Sequence, residues 1–222
     1  MVDTLGDFEA ALSLMLADFE LPPVPRSFIE HTVGKGSEHL IRQTLQYAYK
    51  QAAEHIQYSQ TAIKKVAYKD AWQSYQNHYR AVSGQASEVY PGVPEGLALL
   101  QSQGLPLACL TNKPLSFALP LLRLKGLDSY FGHVFGGDSF ERKKPDPLPV
   151  LKTCQALGTL PAHTLMVGDS SNDAQAAHAA GCPLALVTYG YNHGEDIRAV
   201  EADVHIDNLR QLSGWLQGKT LL

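Results

Sequence analysis

The sequence predicts an α/β protein, in which helices cover a parallel sheet and a second, wholly helical region accompanies it. Three observations lead to this prediction. Residues 5–84 carry apolar side chains at helical spacing, residues 85–222 alternate short apolar runs with helical segments, and the small polar stretch 83–87 separates the two patterns. Apolar runs that alternate with helices are typical of a parallel sheet buried on both faces.

The first region reads as a set of helices. Apolar residues recur every three or four positions in the opening segment, and a cluster of prolines ends it. A Gly-Lys-Gly sequence interrupts the next helix, and Ser37 then has the side chain expected of an N-cap. We predict helices over residues 5–19, from residue 27, from residue 37 to about 48, and over 62–80.

The second region carries the strand signals. Apolar runs without helical spacing occur at residues 105–110, 133–135, 164–167, 184–188 and 204–206. Helical segments fit between them at residues 93–103, 114–125, 147–157 and 172–180, each followed by a glycine. Glycine directly after a helix is the residue that best adopts the left-handed conformation found there.

Composition limits the possible functions. The formal net charge is -4, and the aromatic helix over 62–80 has no matching basic stripe, so we expect no nucleic-acid partner. No apolar run reaches the ~18 residues of a membrane helix, and we expect no membrane partner. Three scattered cysteines show no metal-ligand spacing and favour a reducing, cytoplasmic location. The sequence does not determine the oligomeric state.

Three polar groups follow predicted strands, where ligands bind in open parallel sheets. The first contains Thr111 and Asn112, and the second contains Lys144 in a proline-rich turn. The third contains Asp169 and Asp173, two carboxylates at a strand-to-helix turn that suit Mg²⁺. Each group also has a purely structural interpretation: a helix cap, a solvated basic loop, and a capping box in which Ser170 caps the helix and Asp173 supports it.

Taken together and in this order, the three groups resemble motifs two, three and four of the haloacid dehalogenase superfamily. The loop at residues 33–36, followed by Glu38-His39-Leu40, resembles the cap loop of the phosphoglycolate phosphatase branch. The resemblance implies a Rossmann-like core over residues 85–222 and a helical cap domain over residues 5–84. It also implies a Mg²⁺-dependent phosphatase for a small phosphorylated metabolite, with 2-phosphoglycolate as the expected substrate.

The resemblance also implies roles for single residues. Thr111 and Asn112 are expected to bind the transferring phosphoryl group, and Lys144 to offset its charge and orient the nucleophile. Asp169 and Asp173 are expected at the metal site. Gly34, Lys35 and Gly36 belong to the loop that closes over substrate in the family.

One motif of the family is absent from the 222 residues. Family members attack phosphorus with the first aspartate of an Asp-x-Asp-Gly-Thr sequence, forming an aspartyl-phosphate, and the sequence contains no such motif. We expect the first core strand to be missing between the strands that end at Leu110 and Val167, and the chain as it stands to be inactive. The two neighbouring strands could close up, another segment could take the place of the missing strand, or its absence could weaken the fold.

Two other functions stay open. A non-catalytic relative could bind phosphate or a protein partner through the remaining groups. The same scaffold could also serve a sugar-phosphate mutase or a phosphatase for another metabolite.

Overall fold

The computed structural model describes residues 1–34, 36–54 and 65–218. These residues form two compact units. One comprises Asp3–Glu88, and the other comprises Met1–Val2 with residues from Val89 onward. Where the chain passes between the units, two short strands, β1 (Val2–Asp3) and β2 (Glu88–Val89), pair with each other.

The helical unit contains α1 (Leu5–Asp18), α2 (Arg26–Thr32), α3 (Ser37–Glu54) and α4 (Tyr68–Val82). The predicted helices are present with shifted ends: α3 extends six residues beyond the predicted end, because Tyr49 to Glu54 include no glycine or proline to stop it. Residues 62–64 of the predicted aromatic helix lie outside the described residues. Apolar side chains spaced three or four apart, such as Leu12, Met15 and Leu16, are buried in this unit, as helical periodicity requires.

The α/β unit alternates strands with helices. The strands are β3 (Ala108–Leu110), β4 (His133–Phe135), β5 (Met166–Gly168), β6 (Leu184–Val187) and β7 (Val204–Ile206). The helices are α5 (Val93–Ser102), α6 (Leu115–Leu124), α7 (Leu148–Leu157), α8 (Ser171–Ala180) and α9 (Gln211–Gly218). The glycines predicted after α5 to α8 all have positive φ, between 67° and 77°.

The strand at residues 105–110 is shorter than predicted. Only Ala108–Leu110 pair with β4, and Leu105 is exposed. Pro106 has no N–H to donate to a ladder, which explains why pairing starts after it.

Every strand pair of the α/β unit is parallel, as predicted, but the strands form two groups. β3 pairs with β4, and β6 lies between β5 and β7. Both groups of strands contact the same two apolar clusters. Cys109 of β3 and Ala185 of β6 belong to one cluster, and Leu110 of β3 packs against the other, which contains Leu184 of β6. β3 and β5 therefore lie in one sheet layer without pairing, so the strands do not close up in the described residues.

Backbone hydrogen bonds show which groups of β3 and β5 point away from their partners. The Thr111 N–H donates to Phe135 O, and the Met166 N–H donates to Pro183 O. Since neighbouring residues in a strand point their N–H and C=O groups to opposite sides, Leu110 and Val167 point away from β4 and β6. We call these two sides, the edge of β3 opposite β4 and the edge of β5 opposite β6, the inner edges.

Both faces of β6 are buried. Ala185 and Val187 lie in one cluster, Leu184 and Leu186 in the other, as expected for a strand with helices on both faces. On β5, by contrast, Val167 is 36% exposed. Among the described residues, no helix combines the length and apolar character needed to cross a bilayer.

Candidate active site

Lys144 is a buried cation at the carboxyl end of β3. Its side chain is 9% exposed, and its Nζ lies 2.7 Å from Asp173 Oδ1. The same Nζ donates to the Leu110 carbonyl on the inner edge of β3, at 3.0 Å. A buried ammonium needs such partners, because an unpaired charge in a low-dielectric environment is costly. The interpretation as a solvated loop fits exposed Lys143 but not Lys144.

Asn112 holds the backbone of Lys144. Its Nδ2 donates to Lys144 O at 2.9 Å, and its Oδ1 accepts from the Lys144 N–H at 3.1 Å. The side-chain amide thus makes the two bonds that a neighbouring strand would make, and it ties the turn containing Lys144 to the end of β3. Sequence spacing did not indicate this contact, because Asn112 and Lys144 lie 32 positions apart in the chain.

Thr111 is half-buried directly after β3, and its Oγ1 accepts from the Lys113 N–H at 3.1 Å. Because a hydroxyl both accepts and donates, this bond leaves the Thr111 O–H proton for a second partner. Thr111 does not cap α6, whose N-cap is Pro114 without a side-chain cap bond, so the cap interpretation is wrong. Its bond to the Lys113 N–H is a turn contact that is compatible with phosphate binding.

Asp173 lies in the first turn of α8, where Ser170 is the N-cap, and the predicted capping interaction is present. The Ser170 Oγ donates to Asp173 Oδ2 at 2.8 Å, and the Asp169 N–H donates to the same oxygen at 3.1 Å. Burial alone raises the pKa of Asp173, but Lys144 and these donors outweigh it and lower the pKa below its ordinary value. Asp173 is thus ionised. One of its carboxylate oxygens pairs with Lys144, and the other accepts hydrogen bonds from Ser170 and the Asp169 N–H.

Asp169 follows β5 and is half-buried. Burial, together with the charge of Asp173, raises its pKa to about 6, although the Met1 ammonium and Lys144 oppose the rise. Gly190 lies against it: a Cβ built there would be 2.3 Å from Asp169 Oδ2, and the φ of +126° also favours glycine. A carboxylate whose negative charge is destabilised by burial and by a neighbouring carboxylate is a suitable ligand for a metal ion.

The donor set fits Mg²⁺ only in part. Mg²⁺ prefers oxygen ligands and is commonly held by one or two carboxylates, water and substrate phosphate. Asp169 supplies one carboxylate, whereas the oxygens of Asp173 are already bonded to Lys144, Ser170 and the Asp169 N–H. Within residues 1–34, 36–54 and 65–218, no three His, Cys, Asp or Glu residues form a metal-binding group.

The loop after β6 supports the acidic turn. Asn192 is buried, and its Oδ1 accepts from the Ser171 N–H at 2.8 Å. The Asn172 Nδ2 lies 3.4 Å from His193 Nε2. Gly190 and Asn192 lie in a segment, residues 188–192, that also resembles the haloacid dehalogenase superfamily, but sequence reasoning assigned no role to them or to His193.

The residues of the predicted cap loop lie in the helical unit. Gly34 and Gly36 have φ values of 107° and 97° between α2 and α3, so the chain turns in conformations that favour glycine. Lys35 lies outside the described residues. The structure therefore brings together Thr111, Asn112, Lys144, Asp169 and Asp173, while a substrate contact of the loop stays a prediction.

Comparison with known proteins identifies relatives along nearly the whole chain. The family model of the haloacid dehalogenase-like hydrolases matches residues 3–181. A phosphoglycolate phosphatase of Cupriavidus necator is 38% identical over 216 residues, which are 97% of this chain and 88% of that protein. A phosphoglycolate phosphatase of Thiobacillus denitrificans is 36% identical, covering 95% of this chain and 88% of that protein.

A solved structure shows the same fold. The crystal structure of a predicted phosphoglycolate phosphatase from Haemophilus somnus superimposes with a TM-score of 0.89 at 31% sequence identity. The match covers 98% of this chain and 93% of that chain. The predicted α/β fold is thereby confirmed.

Proposed function

Since this chain belongs to the haloacid dehalogenase-like hydrolases and its relatives are phosphatases, we propose that it is built for Mg²⁺-dependent hydrolysis of 2-phosphoglycolate. The enzyme class, phosphoric monoester hydrolase, follows from the family. The substrate is inferred from the names of relatives that cover almost the full chain. The single observation that carries the proposal is the meeting of Lys144, Asp169 and Asp173 beside Thr111 at the carboxyl ends of β3 and β5.

Lys144 provides the positive charge of the site. Its ammonium is held by Asp173 and the Leu110 carbonyl, so it has a defined position before any substrate binds. A preorganised charge stabilises negative charge on a phosphoryl group without reorganisation during the reaction. Asn112 keeps the Lys144 backbone in place, and the Thr111 hydroxyl donates to a phosphoryl oxygen.

Asp169 would hold Mg²⁺, and Asp173 supports the site by orienting Lys144 and the Asp169 backbone. When bound, the metal ion neutralises charge on the phosphoryl oxygens. The raised pKa of Asp169, about 6, shows that its charge lacks sufficient compensation in the folded chain, and a bound cation would supply it.

The nucleophile belongs, in this proposal, to a strand that the 222 residues do not contain. Two observations support this: the sequence lacks Asp-x-Asp-Gly-Thr, and β3 and β5 lie in one layer with unpaired inner edges in the described part of the chain. Loss of a nucleophile and general acid together removes several orders of magnitude in rate. We therefore infer that the 222 residues, without such a strand, are inactive.

The helical unit serves as the substrate-covering cap in this proposal. Its loop contains Gly34 and Gly36, both with positive φ, and the family resemblance assigns this loop, including Lys35, to the substrate. The loop would then determine which phosphorylated acid is accepted. The expected site of action is the cytoplasm.

The test compares two proteins, the 222-residue chain and the same chain extended at Met1 by an apolar strand ending in Asp-Leu-Asp-Gly-Thr. Phosphate release from 2-phosphoglycolate is measured with Mg²⁺ and with EDTA. We expect activity only in the extended protein with Mg²⁺, and none when both added aspartates are asparagine. No activity in the folded extended protein would reject the proposal.

A non-catalytic phosphate-binding protein is the alternative, favoured by the engagement of Asp173 and Asn112 in internal contacts. It predicts that the extended protein binds inorganic phosphate without turnover. A mutase or a phosphatase of other specificity predicts turnover of a sugar phosphate in preference to 2-phosphoglycolate.

A further inference from the structure

We propose that Asp138, an exposed residue in the loop after β4, is a positioning residue for phosphate binding. Its carboxylate fixes the end of the turn 111–114, which links β3 to α6 and carries Thr111 and Asn112. The proposal rests on the proposed function, since it takes this turn as the place where the phosphoryl group binds. Asp138 acts through the turn and not by contact with the substrate, because its negative charge repels a phosphate.

Asp138 makes a hydrogen bond that the residues preceding α6 do not supply. Its Oδ1 accepts from the N–H of Leu115, the first residue of α6, at 2.8 Å, although the two residues lie 23 positions apart. The N-cap of α6 is Pro114, whose side chain has no group that accepts a hydrogen bond. An aspartate at a helix N-terminus satisfies a backbone N–H and interacts favourably with the helix dipole. Asp138 therefore caps α6 from a distant part of the chain.

The turn 111–114 is held at its beginning and at its end. At its beginning, the Thr111 N–H donates to Phe135 O at 3.0 Å, a bond between two backbone groups. At its end, the Leu115 N–H donates to the side chain of Asp138. Of these two contacts, only the second depends on a side chain, so a substitution can remove it and leave the backbone unchanged.

The loop after β4 packs against the turn through backbone atoms. The Gly137 N–H donates to Lys113 O at 2.9 Å, and a Cβ built on Gly137 would lie 2.3 Å from Asn112 O. A Cβ built on Gly136 would lie 2.3 Å from Leu115 N. Distances this short leave no room for a side chain at either glycine. Loop and turn are therefore in direct contact, and the position of one determines the position of the other.

The position of the turn also affects Lys144. Asn112 lies in the turn, and its side-chain amide bonds the N–H and the C=O of Lys144. The Thr111 hydroxyl, in the same turn, is the proposed donor to a phosphoryl oxygen. When the end of the turn is released, both groups lose a shared support. A site that adopts its binding arrangement for only a fraction of the time binds its ligand more weakly by that fraction.

The test measures the binding of inorganic phosphate to the 222-residue chain by isothermal titration calorimetry at constant ionic strength. Asp138→Ala removes both the charge and the acceptor, whereas Asp138→Asn removes the charge and keeps an oxygen that accepts from the Leu115 N–H. We expect Asp138→Ala to weaken phosphate binding about fivefold, the factor that corresponds to one hydrogen bond. Asp138→Asn should bind at least as tightly as the native chain. Removal of charge repulsion alone would tighten binding in both variants.

Asp203→Ala is the matched control. Asp203 is exposed like Asp138, and its Oδ2 accepts from the Leu184 N–H at 2.9 Å. Because β6 starts at Leu184 and runs parallel to β5, this bond lies at the end of the sheet opposite Asp169. Asp203→Ala removes the same charge and the same kind of bond, and should leave phosphate binding unchanged. If circular dichroism shows that Asp138→Ala does not fold, Asp138→Glu displaces the acceptor by one methylene and should weaken binding in the same direction.

Hydrogen exchange distinguishes failure of this proposal from failure of the proposed function. Exchange of the amides of residues 111–115 should rise in Asp138→Ala but not in Asp138→Asn or Asp203→Ala. If exchange changes in this way while the native chain binds no phosphate, Asp138 positions the turn and the proposed function loses its support. Unchanged or tighter phosphate binding in Asp138→Ala, equal weakening in Asp138→Asn, or unchanged exchange of residues 111–115 would overturn the role of Asp138.

Discussion

Removing the ammonium of Lys144 should destabilise the α/β unit. Lys144→Met keeps most of the aliphatic stem and leaves the Asp173 carboxylate, only 7% exposed, without its cation. Breaking a buried ion pair by removing one partner costs about 3–5 kcal/mol. At roughly 3 °C per kcal/mol for a chain of this size, the melting temperature should fall by about 10–15 °C near pH 8.

The loss of stability caused by Lys144→Met should depend on pH. In the native chain the pKa of Asp173 is lowered, so this carboxylate stabilises the fold above its unfolded pKa of about 3.9, and the contribution is lost as pH falls through the lower folded value. In Lys144→Met, burial is no longer opposed by Lys144 and Asp173 takes up a proton more easily. The difference from the native chain should therefore shrink towards pH 5.

Differential scanning calorimetry near pH 8 and pH 5 measures both effects. Lys143→Met is the matched control, because Lys143 is exposed and its loss should change stability by less than about 0.5 kcal/mol. The double variant Lys144→Met/Asp173→Asn should recover part of the loss. A Lys144→Met protein as stable as Lys143→Met at both pH values would refute the reasoning.

Three further predictions concern Asp169, Asp7 and Gly190. Because the pKa of Asp169 is raised to about 6, its charge destabilises the fold as pH rises from about 4 through 6. Asp169→Asn should thus raise stability by about 3 kcal/mol near pH 8 in EDTA, have little effect near pH 4, and remove any thermal stabilisation by Mg²⁺. Asp7 is fully buried and accepts hydrogen bonds from the Gly84 N–H, the Ala86 N–H and the Ser87 hydroxyl. Asp7→Ala should destabilise the helical unit by about 3 kcal/mol in urea unfolding, with unchanged unfolding as the contrary result. Gly190→Ala should cost about 2 kcal/mol and weaken any Mg²⁺ response, whereas Gly214→Ala, where nothing lies within 4 Å of the added Cβ, should change calorimetric stability by less than about 1 kcal/mol.

The sequence indicated most of the architecture because its signals are local. Helix spacing, the glycines after α5 to α8 and the apolar runs of the strands depend on neighbours a few residues away. Ser170 and Asp173 form their capping contact within one turn. Lys144 shows where such reasoning stops: its expected role concerned the phosphoryl group and the nucleophile, and the structure adds a buried ion pair with Asp173.

What the sequence determined by itself was the order of strands and helices and the residue types at the strand ends, since both follow from periodicity and local turn chemistry. Only the tertiary structure decided which of those residues touch. The Asn112–Lys144 bonds join residues 32 positions apart, Gly190 lies against Asp169 across a loop, and β3 and β5 share a layer without pairing. These contacts arise from how separate elements pack, and no local pattern encodes the distance between them.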